Sequence, residues 1–357
     1  MSIDVATERA PRARRAALRL AFGVTACFAL VEALEWDATF LAPLLAAQML
    51  VKLKQPPSIA QGLAVVLLIG LSTGTVLLIT TAFISHPAVL ILALALLIYL
   101  SFYAHLRGAP ELATLLVQIS AVSLPVIAVL SPDGAVGFAA TLLSAGVVAL
   151  LTVWTAFAAF PDHATGDAAA DRPTGASGPA APLTAARDAL LNTLVLLPVL
   201  IWFILDATEV AVVVLIVIVT LLRQLDPQRG QRAALGLILG NLIGGIAAAI
   251  VYNLVLLSNT LLFFVTVCLA ASLIFAGRLA TGGDRAPIYA IAFATFILLL
   301  GLGLTPLPGG SGEAFATRLL NVLLASAYAV GAVSVMERWR IGPRSKKPLS
   351  PISAGPQ

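Results

Sequence analysis

Glu32 and Arg318 are the two charged residues whose places in the chain call most directly for chemistry. Glu32 lies a turn before the end of an apolar run, with Glu35 and Asp37 flanking Trp36 just beyond it. A carboxylate at membrane depth costs up to about 3 kcal/mol, so a functional partner is the default reading. Glu32 is therefore the expected proton-coupling group, whereas Glu35 and Asp37 read as a solvated turn. Arg318 enters the last apolar run from its acidic side, on the same helical face as Asn321. A guanidinium there requires an anion, which Glu313, a lipid phosphate or a carboxylate substrate would supply. Arg318, Asn321, Gln118 and Asn253 form the expected substrate-binding set. Gln48, Ser120, Ser123, Asn192 and Asn241 are further polar residues inside apolar runs, where they face helices or a cavity rather than lipid. Pro125 and Pro198 are expected to interrupt helices and free carbonyls, and Tyr99, Phe102 and Tyr103 offer rings on which an aromatic ligand could stack.

Other chemistries lack their residues. Cys27 and Cys268 sit in apolar runs and His86, His105 and His163 lie far apart, so no metal-ligand spacing exists. Gly309, Gly310 and Gly312 lack the lysine of a nucleotide-binding loop, and no nucleophile elbow is present. The expectation is a protein that is not an enzyme and uses no cofactor. Transport, if that is its work, runs on an ion gradient or downhill.

The elements that must position these residues follow from composition. Of 357 residues 60% are hydrophobic and 11% charged, with a mean hydropathy of +1.02. A soluble domain averages roughly 25% charged residues, so this chain cannot cover its surface in water. Its runs are continuously apolar rather than alternating, which selects helices over barrel strands. Spans are expected near 18–35, 38–52, 59–83, 88–104, 111–130 and 136–160, then 188–205, 208–222, 232–257, 260–277, 287–304 and 314–338. The fold class is thus all-α, a polytopic membrane protein of about twelve transmembrane helices. The basic stretch at 1–17 leads into an uncleaved first helix rather than a signal peptide, since Glu32, Glu35 and Asp37 end the run without a small-residue cleavage site.

With a cytoplasmic N-terminus, this layout places all but one of the 21 basic residues on the inner side, Arg318 being the exception. Glu32, Glu35, Asp37, Asp133, Asp206, Glu209 and Glu313 fall on the outer side. Both termini, including the basic tail 341–357, are therefore expected in the cytoplasm of a bacterial-type inner membrane. The scattered basic residues serve topology, and nucleic-acid binding is discarded. Residues 161–186 are rich in Ala, Pro, Gly, Asp and Thr and read as a flexible cytoplasmic linker. The linker divides the chain into repeats at 18–160 and 187–340. Gln61, Gly70 and Gly74 precede Gln231, Gly240 and Gly244 by one constant offset, and Pro57 precedes Pro227 by the same. Six spans return the chain to its starting side, so the repeats are parallel. The G-x-x-x-G pairs Gly70/Gly74 and Gly240/Gly244 are expected to pack helices closely.

Six helices, a cytosolic segment and six more, with a short second helix passing through a basic, Pro-containing turn (Lys52 to Pro57, Arg223 to Pro227) into a G-x-x-x-G third helix, resemble the fusaric acid resistance or aromatic acid exporter superfamily. The resemblance covers roughly 18 to 340. It implies an inner-membrane exporter of aromatic carboxylates that commonly works with a periplasmic membrane-fusion adaptor. Similar six-helix units occur in plant malate-type anion channels. The sizeable cytosolic domain typical of the superfamily is replaced here by the short linker, as in a compact subgroup. The resemblance carries over the glycines of the third helices and Arg318.

The expected function is proton-driven export of small organic anions, aromatic carboxylates foremost, with membrane lipid and an adaptor as partners and homo-oligomerisation open. The alternative is a non-transporting scaffold that anchors an envelope complex.

Overall fold

Continuously apolar sequence broken by Pro, Gly and short charged turns yields an all-helical chain. The computed structural model describes residues 3–36, 39–161, 181–206, 211–224, 230–258, 260–281 and 283–304, with positions 320, 324, 327, 328, 331 and 332. Among these residues there are eleven α-helices and no strand: α1 (Ile3–Ala33), α2 (Leu41–Lys52), α3 (Ile59–Phe83), α4 (Pro87–Leu106), α5 (Glu111–Leu130), α6 (Pro132–Ala159), α7 (Pro182–Asp206), α8 (Ala211–Gln224), α9 (Gly230–Val255), α10 (Leu261–Thr281) and α11 (Ala286–Leu304). Most of the expected linker, the bulk of the expected last span and the C-terminal tail lie outside the described residues.

Eight helices are long and apolar enough to cross a membrane, namely α1 from Ala13, α3, α4, α5, α6, α7, α10 and α11. The chain is a multi-pass membrane protein. The expected second and eighth spans differ from full crossings: α2 has 12 residues and α8 has 14. At about 1.5 Å per residue, each reaches about 20 Å at most against a hydrocarbon core of about 30 Å. Neither needs lipid on its flanks. Nine positions of α2 are buried, and so are Leu215 to Val219 and Leu222 of α8, as expected of helices apolar all round that sit inside a bundle. In α1 the helix extends upstream of the apolar run to Ile3, through a stretch rich in Ala and Arg, both good helix formers.

Local signals set the remaining boundaries. Pro87 and Pro132 stand in the first turns of α4 and α6, where the missing N–H costs nothing. Ser58 and Gln61 form a reciprocal capping box at the start of α3, and Trp154 Nε1 donates to the Pro57 carbonyl at 2.8 Å. Together these contacts pin the turn that follows Lys52. Helices α5 and α7 run through Pro125 and Pro198, contrary to the expected interruptions; Pro125 is buried among neighbouring helices, whereas Pro198 lies on the exposed side of α7.

Between α4 and α5 the chain turns through Gly108 at φ 87°. Gly108 N–H donates to the His105 carbonyl and Ala109 N–H to the Ala104 carbonyl, which is the Schellman arrangement. This turn brings His105, at the end of α4, beside Glu111, at the start of α5. Replacing Gly108 with Ala forces a side chain into the left-handed region at a cost of about 1 kcal/mol. The expected result is a lowered thermal midpoint for the purified protein, with Gly108→Asn falling less.

The helices pack reciprocally across the two halves of the chain. α1 lies along α10 and α4 along α7, while α2 meets α11 and α5 meets α8. Within each half, α3 packs on α5 and α9 on α11. Polar side chains join these contacts inside the bundle: Thr73 Oγ1 with Ser120 Oγ at 3.2 Å, Ser101 Oγ to the Thr114 carbonyl at 3.0 Å, and Thr295 Oγ1 to Asn241 Oδ1 at 2.6 Å. The Thr39 hydroxyl donates to the Gly301 carbonyl, tying the start of α2 to α11. Large apolar side chains such as Leu63, Leu67 and Leu71 on α3 and Leu92 and Leu96 on α4 face outward, as a lipid-contacting surface requires.

Candidate functional site

The short helices α2 and α8 each end in a cation, Lys52 and Arg223. A positive charge in the last turn offsets the negative end of the helix dipole, so both ends accept cations locally. Because α2 and α8 lie inside the bundle, these two cations meet at one cavity of about 300 Å³. Its floor and walls come from Leu44, Ala47 and Val51 of α2, Leu115 of α5, Leu279 of α10 and Ile291 and Phe293 of α11. Gln48, Lys52, Glu111, Thr220 and Arg223 supply the polar lining. Gln48 and Lys52 are one turn apart on α2, as Thr220 and Arg223 are on α8, so each helix turns one polar face to the cavity.

Arg223 is held by neutral acceptors. Its Nη1 donates to Gln118 Oε1 at 2.7 Å and Thr114 Oγ1 at 3.1 Å, and its Nη2 donates to the Glu111 carbonyl at 2.9 Å. Nη2 also lies 3.3 Å from His105 Nδ1, where a neutral imidazole accepts. These contacts orient the guanidinium without cancelling its charge. The nearby carboxylate, Glu111, pairs instead with Lys52, and both members of that ion pair are about half exposed. Two cations and one carboxylate leave the cavity with one surplus positive charge. A pocket of this kind, apolar along its walls and cationic at one end, suits an organic anion with an apolar body. Phe293 gives it an aromatic wall, backed by Phe275 and Phe296 at ring-centroid distances of 5.5 and 6.2 Å.

The residues expected from the sequence are distributed differently. Gln118 is fully buried on α5 and serves the cavity indirectly, as the closest acceptor for Arg223. Asn253 is not brought there: it is exposed on α9, and its Nδ2 donates to the Ala249 carbonyl of its own helix at 2.8 Å. Arg318 and Asn321 lie outside the described residues. Glu32 is half-buried in the last turn of α1, at the opposite end of α2 from Lys52, so it stands apart from the cavity. Gly240 and Gly244 lie against α11, where Cβ atoms would meet Ile291 and the backbone of Ala292. Gly70 and Gly74 do not lie so closely. A Cβ on Gly70 meets only Leu143 Cδ1, at 3.8 Å, and one on Gly74 meets nothing within 4 Å. Tyr99 and Tyr103 stack on each other at 6.4 Å and Phe102 is fully buried, and none of the three lines the cavity.

Lys52, Glu111, His105 and Arg223 did not stand out in the sequence: Lys52 and Arg223 read as topology charges, His105 as an isolated histidine, and Glu111 as nothing in particular. One signal was available: Lys52 and Arg223 each stand shortly before the proline of the two basic, Pro-containing turns, one residue apart in register. Among the described residues, no group of three or more His, Cys, Asp or Glu side chains is arranged to hold a metal ion.

Residues 16–156, from within α1 to within α6, match the family described as a protein of unknown function (DUF2955), which is associated with membrane proteins. No curated protein matches the chain. No solved structure matches it.

Proposed function

We propose that this chain is an inner-membrane exporter of small organic anions, aromatic carboxylates foremost, built from two parallel six-helix repeats and driven by the proton gradient. The observation that carries this reading is the cavity shared by the two halves, where Arg223 and Lys52 face an apolar, partly aromatic wall. The reciprocal packing of α1 on α10, α4 on α7, α2 on α11 and α5 on α8 supports the repeat, since an approximate two-fold relation generates each contact from its twin. The family match ends within α6, close to where the first repeat ends.

In this reading both termini are cytoplasmic, because basic residues gather at the ends that flank the cavity. The anion loads from the cytoplasm between α2 and α8, held by Arg223 and Lys52. It leaves toward the outer side, where Arg318 and Asn321 receive it and Glu32 takes up the proton that drives the cycle. A periplasmic membrane-fusion adaptor receives the exported anion.

The test is transport by the purified full chain in liposomes with an imposed pH gradient, using labelled benzoate and a panel of aromatic and aliphatic carboxylates. Gradient-dependent movement of an aromatic carboxylate is expected. Glu32→Gln should reduce the rate to its value without a gradient, and Arg318→Ala should abolish transport without affecting membrane insertion. Absence of movement for every carboxylate, in protein that is folded and oriented both ways, would overturn the exporter reading in favour of a membrane scaffold.

A further inference from the structure

The geometry points to Glu111 as the residue that sets the charge of the anion accepted by the cavity: a monoanion with an apolar body is taken and a dianion is refused. This inference rests on the cavity being the anion site. It goes beyond that reading by assigning selectivity to a residue whose own side chain is an anion.

The argument is one of charge and place. Arg223 is fixed by Gln118, Thr114, His105 and the Glu111 main chain, all neutral acceptors, so no carboxylate occupies its hydrogen-bonding fork and the Glu111 carboxylate acts on it only through space. Lys52 differs, because the Glu111 carboxylate is already paired with it across the cavity lining. Glu111 thus occupies the position that the second carboxylate of a dianion would need. It leaves a surplus of one positive charge, which a monoanion neutralises and a dianion overshoots. The second carboxylate of a dianion would have to displace Glu111 from Lys52 or remain unpaired beside apolar walls, and both are unfavourable. The rest of the lining offers no further cation: Gln48 and Thr220 are neutral and cannot balance a second charge, and Leu44, Leu115, Ile291 and Phe293 favour a hydrocarbon body.

Two ligands of one shape separate charge from size: 4-carbamoylbenzoate carries one negative charge and terephthalate two. Binding of each is measured with the full-length protein in lipid nanodiscs. The parent protein is expected to favour 4-carbamoylbenzoate by about tenfold or more, since like charges at close range in a partly buried site repel strongly. Glu111→Gln frees Lys52 and should bring the ratio to about one or reverse it. The double variant Lys52→Gln with Glu111→Gln restores a single surplus charge and should restore the preference for the monoanion. Recovery of the preference distinguishes a charge effect from damage to the α4–α5 turn. If Glu111→Gln does not fold, Lys52→Gln alone leaves no surplus charge and should weaken 4-carbamoylbenzoate about tenfold, and undiminished binding would overturn the inference. An unchanged ratio in folded Glu111→Gln would overturn the role of Glu111 while leaving the anion site in place. Failure of both ligands to bind any folded protein would overturn the site itself, and this inference with it.

Discussion

Arg223→Gln is expected to abolish saturable binding of benzoate and to stop its transport, lowering affinity by about a hundredfold or more. Removing one charged partner from a desolvated, hydrogen-bonded site costs about 2–5 kcal/mol, and each 1.4 kcal/mol is about tenfold in affinity. The variant also leaves Gln118 Oε1, which is fully buried, without its donor, at about 1 kcal/mol of stability. Arg223→Lys keeps the charge but presents a point ammonium where the native fork reaches Gln118, Thr114 and the Glu111 carbonyl at once. It should retain measurable binding, weaker than the parent and stronger than Arg223→Gln. Isothermal titration on the nanodisc-embedded protein orders the three. Equal affinity for the parent and the Gln variant would remove Arg223 from the site.

Gly244→Val should prevent recovery of folded protein, whereas Gly74→Val should be tolerated. A Cβ on Gly244 would fall on the Ala292 carbonyl oxygen and lie 2.9 Å from Thr295 Cβ. The obstacle is backbone, so relief requires α9 to move off α11, which breaks the Thr295–Asn241 hydrogen bond as well. Overpacking of this kind costs about 3 kcal/mol, a large part of the stability of most domains. At Gly74 a Cβ has open space, so the substitution should change the thermal midpoint little, within about 0.5 kcal/mol. Size-exclusion profiles and thermal midpoints in detergent check both. Similar losses at the two positions would mean that α3 is as tightly covered as α9.

The contrast between those glycines shows where reading from sequence reaches its limit. The first six helices were legible to within a few residues at most ends, because apolar runs and the polar breaks between them are local, and Ser58 with Gln61, Pro87, Gly108 and Pro132 act on their own helices at those breaks. The two G-x-x-x-G pairs look alike in the sequence, yet what lies opposite each is decided by other helices. The same is true of the cavity. Gln118 was visible as a polar residue in an apolar run, but its partner Arg223 is 105 residues away. Arg223 itself resembled any basic residue at the inner end of a helix. Asn253 was equally visible and went elsewhere, since a short amide can satisfy itself on its own helix. The limited length of α2 and α8 was present in the sequence. What it does was not: it draws two helix-end cations to a cavity within the bundle, where a full crossing would have delivered them to the surface.

The reciprocal packing of the halves also governs how the protein is made. α1 and α4 emerge from the ribosome long before α10 and α7, the helices along which they come to lie. Until then their mutual faces must be covered by lipid or by an insertion factor, so entry into the bilayer and completion of the fold are separated in time. Nascent chains truncated before α10 should accordingly be inserted in the membrane yet sensitive to protease and quality control. Chains extended through α11 should become resistant, as the second half supplies the surfaces for which the first has been waiting.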